Sequence, residues 1–302
     1  MASNPAGDAA APPPGRRWLD AVRRTPLVRL LIFFAVLLAA DIGAQFGRLG
    51  AMRHAPPGHI DEVSLGSALL LAAALLGVYV GLVRSLEGRA TRELERRVIQ
   101  AIAGIILGFA LFSSVFGLLH LVGVAQWQGV SAAGVDVIPM LAVAIIAAVG
   151  EELAFRGALF RILEESFGTG TALALSAALF GLLHALNPGA TVVSTTAIAL
   201  EAGVLLGAAY ALTRNLWFPI GLHFGWNFTE GGVFGASVSG GVTTKGIFSI
   251  SLSGPKLLTG GKFGPEASVV AIAVCLAIAI VLVVFVVRNG RWIPVRRLAA
   301  RA

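Results

Sequence analysis

The chain has 302 residues, of which 57% are hydrophobic and only 13% are charged. Soluble domains carry about 25% charged residues, so this composition excludes a soluble globular protein and indicates a membrane protein. The formal net charge of +7 lies in short tracts beside apolar segments, which is typical of membrane topology and argues against nucleic-acid binding.

The first 25 residues are rich in Pro, Ala and Arg, and we expect residues 1–25 to form a disordered cytoplasmic tail. The apolar run that follows is long and further apolar runs come after it. We therefore predict an uncleaved signal anchor rather than a cleaved signal peptide.

Apolar stretches of about 20 residues, long enough to cross a bilayer, cover most of the chain. They predict an all-α, polytopic membrane helix bundle of about eight transmembrane helices over residues 26–290, followed by a basic cytoplasmic tail over residues 291–302. The predicted spans are Pro26 to Phe46, Val63 to Val83, Val98 to Val122, Val135 through the EELAFR segment, Thr169 to Leu186, Val192 to Leu212, Trp217 to Phe234, and Ala267 to Val287.

Two further features organise the chain. The segment from Thr229 to Glu266 is rich in Gly, Ser and Thr without a helical period, and is predicted to be an outer loop that folds over the bundle. Arginines concentrate in alternate connections and in the C-terminal tail, which favours an integral protein of a bacterial-type inner (plasma) membrane with both termini cytoplasmic.

Several polar side chains fall inside the predicted spans. Such groups are costly in a bilayer and usually face a protein interior or an aqueous cavity, so each is a candidate functional residue; the alternative is a structural hydrogen-bond network. They are Glu151, Glu152, Arg156, His184, Glu201, His223 and Glu230, with Asn227 as a polar companion.

The spacing of the first three groups predicts an ion pair. Glu152 and Arg156 are four residues apart on one helix face, where a carboxylate and a guanidinium meet and neutralise each other. Glu151 lies about 100° further round the helix and is left without this partner, as a base for water activation requires. Gly168 is the predicted end of this helix.

Two polar residues share a face of the seventh span. His223 and Asn227 are four residues apart, and Gly221 and Gly225 form a small-xxx-small pair that predicts close approach of another helix. A straight fifth span would place His184 nearer the outer half of the membrane than His223, so we expect helix tilt or a shifted boundary to bring the two histidines level.

At this point the residues resemble a known family. The segments EELAFR, FGLLH and HFGWN are similar, in the same order, to the EExxxR, FxxxH and HxxxN motifs of the CAAX-protease and bacteriocin-processing (CPBP, or Abi) intramembrane proteases. The resemblance implies a catalytic core over residues 135–234. It also implies a catalytic set, namely Glu151, Glu152, Arg156, His184, His223 and Asn227.

The resemblance implies a role for each residue. Glu151 would activate water with help from His184, while His223 and Asn227 would hold the oxyanion. It allows either a metal-free mechanism or a divalent metal such as zinc, held by Glu151, His184 and His223. We favour the metal-free mechanism, since no HExxH zinc motif is present, and leave the metal open.

We therefore expect an endopeptidase that acts on a peptide or membrane-protein substrate within the lipid bilayer, without implying a prenylated substrate. The alternatives are a proton-coupled transporter, for which paired repeats with broken helices are missing, and a catalytically silent scaffold, which would not need these costly polar groups. Glu201 is left open between a core role and the cavity wall, and Glu230 is placed outside the site.

Overall fold

The computed structural model describes residues 14–131, 134–241 and 243–295 of the chain. In this part the fold is almost entirely helical, as predicted. The α-helices are α1 (Pro14–Arg24), α2 (Pro26–Arg53), α3 (Ile60–Leu82), α4 (Val98–Leu121), α5 (Val137–Glu152), α6 (Arg161–His184), α7 (Val192–Ile198), α8 (Val204–Thr213), α9 (Trp217–Asn227), α10 (Lys256–Thr259) and α11 (Val269–Arg288). Wider π-helical turns extend or join several of them, at Val83–Glu87, Leu153–Phe160, Ala199–Gly203 and Phe228–Val233.

The helices form a polytopic membrane bundle. Counting only described residues, six helical segments are long and apolar enough to cross a membrane, and the longest of them, Val137–His184, has 48 residues. Gly168 interrupts this segment with φ 79° and ψ 171°, so the predicted helix end at Gly168 is confirmed. One predicted span lies before Gly168 and another after it. The number of eight transmembrane helices stays a prediction.

Both predicted tails differ from expectation where they are described. The disordered tail is a wrong prediction for Pro14–Arg24, which is helical because Val22 packs into the core beside Leu86 and Arg23 donates a 3.2 Å hydrogen bond to the Leu86 carbonyl. At the other end, the backbone amide of Ile293 donates to the Thr169 hydroxyl at 2.9 Å, which attaches the start of the basic tail to the bundle. Residues 1–13 and 296–302 of the predicted tails lie outside the described part.

The segment between α9 and α11 folds over one end of the bundle, as predicted, but it contains regular structure. Strand β2 (Phe248–Leu252) pairs antiparallel with β1 (Ala125–Val130), which follows α4, and the rings of Trp127 and Phe248 lie 4.4 Å apart. Phe263 is 1% exposed and packs in a cluster with Phe155 and Phe180. This long segment therefore contributes to the core rather than lying loosely on it.

Glycines bring α4 and α9 into backbone contact. Cβ atoms added at Gly104 and Gly108 would overlap the backbone of α9, and Cβ atoms added at Gly221 and Gly225 would overlap the backbone of α4. The close approach predicted from the small-xxx-small pair is thus confirmed, and α4 is the partner. This packing fixes the helix that carries His223 and Asn227.

A buried ionic network closes the end of the bundle opposite the two strands. Glu93, only 4% exposed, accepts a 2.6 Å hydrogen bond from the Tyr79 hydroxyl and two of 2.8 Å from Arg89. Nearby, Arg161 donates to Glu87 at 2.9 Å. Burial opposes ionisation of Glu93, but the hydrogen bonds from Arg89 and Tyr79 outweigh it and lower the pKa of Glu93 below its usual value. The network ties the connection between α3 and α4 to the helix that follows the EELAFR segment.

We expect Gly108→Ala to destabilise the protein by about 1 to 3 kcal/mol, because the new methyl group would overlap the carbonyl oxygen of Leu222 on α9. Gly117→Ala, on the same helix with no atom within 4 Å of the added Cβ, is the matched control and should be neutral or slightly stabilising. Thermal unfolding in detergent measures both. Equal stability of the two variants would contradict the contact between α4 and α9.

We expect Glu93→Gln to be less stable than the wild type at about pH 7 by about 1 to 3 kcal/mol, because it loses charge-assisted hydrogen bonds. The folded-state pKa of Glu93 is lowered, so its stabilisation is complete above the ordinary pKa of about 4.3 and is lost as the pH falls through the lower folded-state value. The difference should therefore shrink toward about pH 3, which thermal unfolding across the pH range would measure. Glu95→Gln, at a side chain that is 59% exposed, should show no such difference at any pH.

Candidate functional site

The centre of the candidate site is a fully buried ion pair. Arg156 donates to Glu152 at 2.8 Å, and both side chains are 0% exposed. The guanidinium also donates to the backbone carbonyls of Ala202 and Gly203, each at 3.1 Å. The ion pair expected from the spacing is therefore present, and it joins the end of α5 to the π-helical turn between α7 and α8.

Aromatic rings surround the guanidinium. Its central carbon lies 4.8 Å from the centre of the Phe180 ring, in cation–π geometry. The Phe180 ring lies 4.7 Å from the imidazole of His184 and 6.3 Å from that of His223, measured between ring centres. Phe180, the first residue of the FGLLH segment, thus lies close to both histidines.

His223 links the two adjacent glutamates. Its Nδ1 atom lies 3.1 Å from Oε1 of Glu152, and its Nε2 atom lies 4.0 Å from Oε2 of Glu151. Because the Glu152 carboxylate can only accept, Nδ1 must carry a proton and donate it. This hydrogen bond turns Nε2 toward Glu151.

Glu151 is in a different environment from Glu152. Its side chain is 34% exposed, whereas its Oε2 atom is buried and has no hydrogen-bond partner among the described residues. Oε2 of Glu151 therefore has no protein group that occupies it, and the exposed part of the side chain can meet water. The neighbouring Glu152 is 0% exposed: its Oε1 atom contacts both Arg156 and His223, while its Oε2 atom is buried without a hydrogen-bond partner among the described residues.

A small, partly open cavity with a volume of about 30 Å³ lies beside this network. Asn227, one helical turn after His223 and 7% exposed, faces it together with both histidines. His184 is held by a 2.7 Å contact between its Nδ1 atom and the Phe180 carbonyl, which leaves its Nε2 atom for the cavity. The polar residues that line the cavity are His184, Glu201, His223, Asn227, Ser239 and Glu266.

The predicted site residues thus form two groups that share His223. One is the network of Glu151, Glu152, Arg156 and His223, and the other is the cavity wall, with His184, His223 and Asn227. Glu151 is not among the lining residues of the cavity, and His184 contacts its own helix rather than Glu151. A reacting group would lie at the junction of the two groups, next to His223.

In a comparison with known protein families, residues 133–229 fit the family model described as type II CAAX prenyl endopeptidase, Rce1-like. This part of the chain is therefore similar to the CPBP/CAAX proteases, and the family resemblance expected from the three motifs is confirmed for it. Together with the long apolar helices, the match indicates an integral membrane protein. No curated protein and no solved structure matches the chain.

Some residues near the site lie outside residues 133–229, the part of the chain that fits the family model. Glu266 and Ser239 come from the segment after α9, and Glu201, left open by the sequence, does line the cavity. Asp41 in α2 lies against the start of the EELAFR segment, with its Oδ1 atom 3.7 Å from the position of a Cβ added at Gly150. Asp41 is an acidic residue within an apolar span, and this signal could have identified it from the sequence.

A metal ion would need several ligands placed around one point. Within the described ranges, no group of three or more His, Cys, Asp or Glu side chains is placed to hold a metal ion. Glu151, His184 and His223, the expected ligands, therefore do not form a ready ligand set.

We expect Arg156→Met to be strongly destabilised, by about 3 to 5 kcal/mol, because it leaves the buried Glu152 carboxylate without its cation. The double variant Glu152→Gln with Arg156→Met removes both charges, keeps an acceptor for His223, and should recover a large part of this loss. Arg84→Met, at an exposed arginine, controls for the loss of a positive charge. Unfolding in mixed detergent would compare the wild type, the single variants Arg156→Met and Glu152→Gln, the double variant and the Arg84→Met control. A double variant as unstable as the sum of the two single changes would contradict the pairing.

Proposed function

We propose that the protein hydrolyses a peptide bond within the membrane with a water molecule activated by Glu151. The observation that carries this proposal is the contrast between two adjacent glutamates: Glu152 is fully buried and neutralised by Arg156, while Glu151 is 34% exposed and lies 4.0 Å from Nε2 of His223. A carboxylate with a free oxygen can accept a proton from water as the oxygen of that water attacks the carbonyl carbon.

The attack creates an oxyanion that needs hydrogen-bond donors. His223 and Asn227 project from the same face of α9 beside the cavity, and the amide of Asn227 can donate directly. Nε2 of His223 can donate when the ring is doubly protonated, a state that the Glu152 carboxylate at Nδ1 favours. His184, on the opposite wall, is placed to orient the water or the leaving amine.

Glu152 and Arg156 act as positioning residues in this proposal. Arg156 holds Glu152, and Glu152 fixes the ring of His223, so the donor at Nε2 is oriented before the substrate arrives. Preorganised donors in a site that excludes bulk water stabilise an oxyanion more than mobile ones do. The glycine contact between α4 and α9 supports the same orientation.

The substrate in this proposal is a peptide or a segment of a membrane protein that enters from the bilayer or from the cytoplasmic side. The orientation with both termini in the cytoplasm of a bacterial-type inner membrane is part of the proposal. The family is described as prenyl endopeptidases, so prenylated and unmodified peptides are both candidates.

The test is cleavage of a peptide library, unmodified and prenylated, by the purified protein and by its Glu151→Gln, His223→Ala and Glu62→Gln variants. Removing the general base should lower kcat by about 100-fold or more, and His223→Ala should give a loss of similar size through the oxyanion. Glu62→Gln, at a side chain that is 65% exposed at the start of α3, should retain full activity.

Two further outcomes are informative. Loss of activity with a chelator, restored by a divalent metal, would contradict the metal-free form of the mechanism. If all four proteins were folded and equally inactive on every peptide, a silent scaffold or a proton-coupled transporter would replace the peptidase.

A further inference from the structure

Three buried carboxyl groups lie together, and none of them belongs to the EELAFR, FGLLH or HFGWN segments. Glu201 lies in the turn between α7 and α8, Glu230 in the turn after α9, and Glu266 in the turn before α11. Each of the three side chains is at most 2% exposed. Among the described residues, Oε2 of Glu201 is buried without a hydrogen-bond partner, while the buried carboxyls of Glu230 and Glu266 have only each other and nearby polar groups as partners.

No Lys or Arg among the described residues pairs with these groups, whereas the imidazole of His184, on the same cavity, lies near enough to act on Glu266. None of the residues described as lining the cavity is Lys or Arg, and the nearby Arg156 is committed to Glu152 and to two backbone carbonyls. Ionised carboxylates without a partner are very costly in such surroundings, so the groups must hold protons while the cavity is empty. Burial indeed raises the pKa of Glu266.

Two of the three carboxyls face the cavity. Glu201 and Glu266 line it together with His184, His223 and Asn227, whereas Glu230 lies behind them, with its carboxyl close enough to Glu266 for a hydrogen bond. A ligand in the cavity would therefore contact these two carboxyls and the proposed catalytic side chains at the same time. The cavity and the unpaired oxygen of Glu201 are separate observations that point to the same ligand chemistry.

The remaining wall suits the stem of a long side chain. Ile198, Leu205 and Leu222 are apolar, and the ring of Phe180 completes this surface. A lysine or arginine combines an aliphatic stem with a terminal positive charge. Its stem would pack on the apolar wall, and its single positive charge would replace one proton of the Glu201 and Glu266 carboxyls, breaking one O–H bond and releasing that proton to water.

We propose that this cavity is a binding subsite for a positively charged substrate side chain, Lys or Arg, next to the bond to be cleaved. The proposal rests on the peptidase function above and names its substrate class. It also means that an acidic residue, or a free carboxylate at the end of a peptide, is disfavoured in this subsite, because its negative charge would be buried without a cation to balance it.

The test measures binding to the Glu151→Gln protein, so that it does not depend on cleavage. Fluorescent peptides identical except for one residue, either Lys, norleucine or Glu, are compared by anisotropy in detergent at low salt. The Lys peptide should bind at least about tenfold more tightly than the norleucine peptide, equivalent to about 1.4 kcal/mol, and the Glu peptide more weakly than both.

The matched variants change the two carboxyls. Adding Glu201→Gln and Glu266→Gln to the Glu151→Gln protein should reduce the Lys to norleucine ratio to within about twofold, whereas adding Glu62→Gln should leave the ratio unchanged. Gln has nearly the shape of a protonated Glu, and thermal unfolding checks that the variants fold. Equal binding of Lys and norleucine, or a Lys preference that survives both substitutions, would overturn the proposal.

A second measurement needs no change in the subsite. Binding heats of the Lys peptide in buffers of different ionisation enthalpy should reveal proton release, and those of the norleucine peptide should not; no release with Lys would contradict the proposal. A Lys preference without any cleavage by the wild type would support the subsite and refute the peptidase. Cleavage that depends on Glu151 but not on peptide charge would support the peptidase and refute the subsite.

Discussion

Arg156 is fully buried and bonds at once to Glu152 and to the carbonyls of Ala202 and Gly203. The rest of the site depends on this contact, because a buried guanidinium needs a carboxylate and Glu152 is the one that it takes. Glu152 then orients His223, while Glu151, the preceding residue, is 34% exposed and makes no ion pair with an arginine in the described part of the chain. Two chemically identical neighbours thus acquire different roles, since only one of them faces the arginine.

This arrangement explains why the site needs the whole bundle. Three elements each contribute one part, namely the EELAFR segment, the helix that carries Phe180, and α9. Backbone contact between α4 and α9 fixes the position of α9. The segment over the strand end of the bundle adds Ser239 and Glu266 to the cavity wall. A cavity built from separate parts of the chain can combine an apolar wall, oxyanion donors and buried acids, which no single helix could present.

Much of this could be predicted from the sequence, because it depends on spacing within one helix. The pairing of Glu152 with Arg156, the break at Gly168 and the small face of Gly221 and Gly225 all follow from helical periodicity. The pairing of β1 with β2 and the burial of Glu266 against Glu230 could not, since each joins segments that are far apart in the chain or lack a periodic pattern. The ordered α1 helix was missed because its polar composition conceals the burial of Val22.

The most direct test of the account is a single turnover of a cleavable peptide in water labelled with oxygen-18, followed by mass spectrometry of the product and of the protein. If Glu151 activates water as a base, the label appears in the new carboxyl group of the peptide product and Glu151 stays unlabelled. Oxygen-18 in the Glu151 side chain would instead show that this carboxylate attacks the peptide covalently, and would contradict the account.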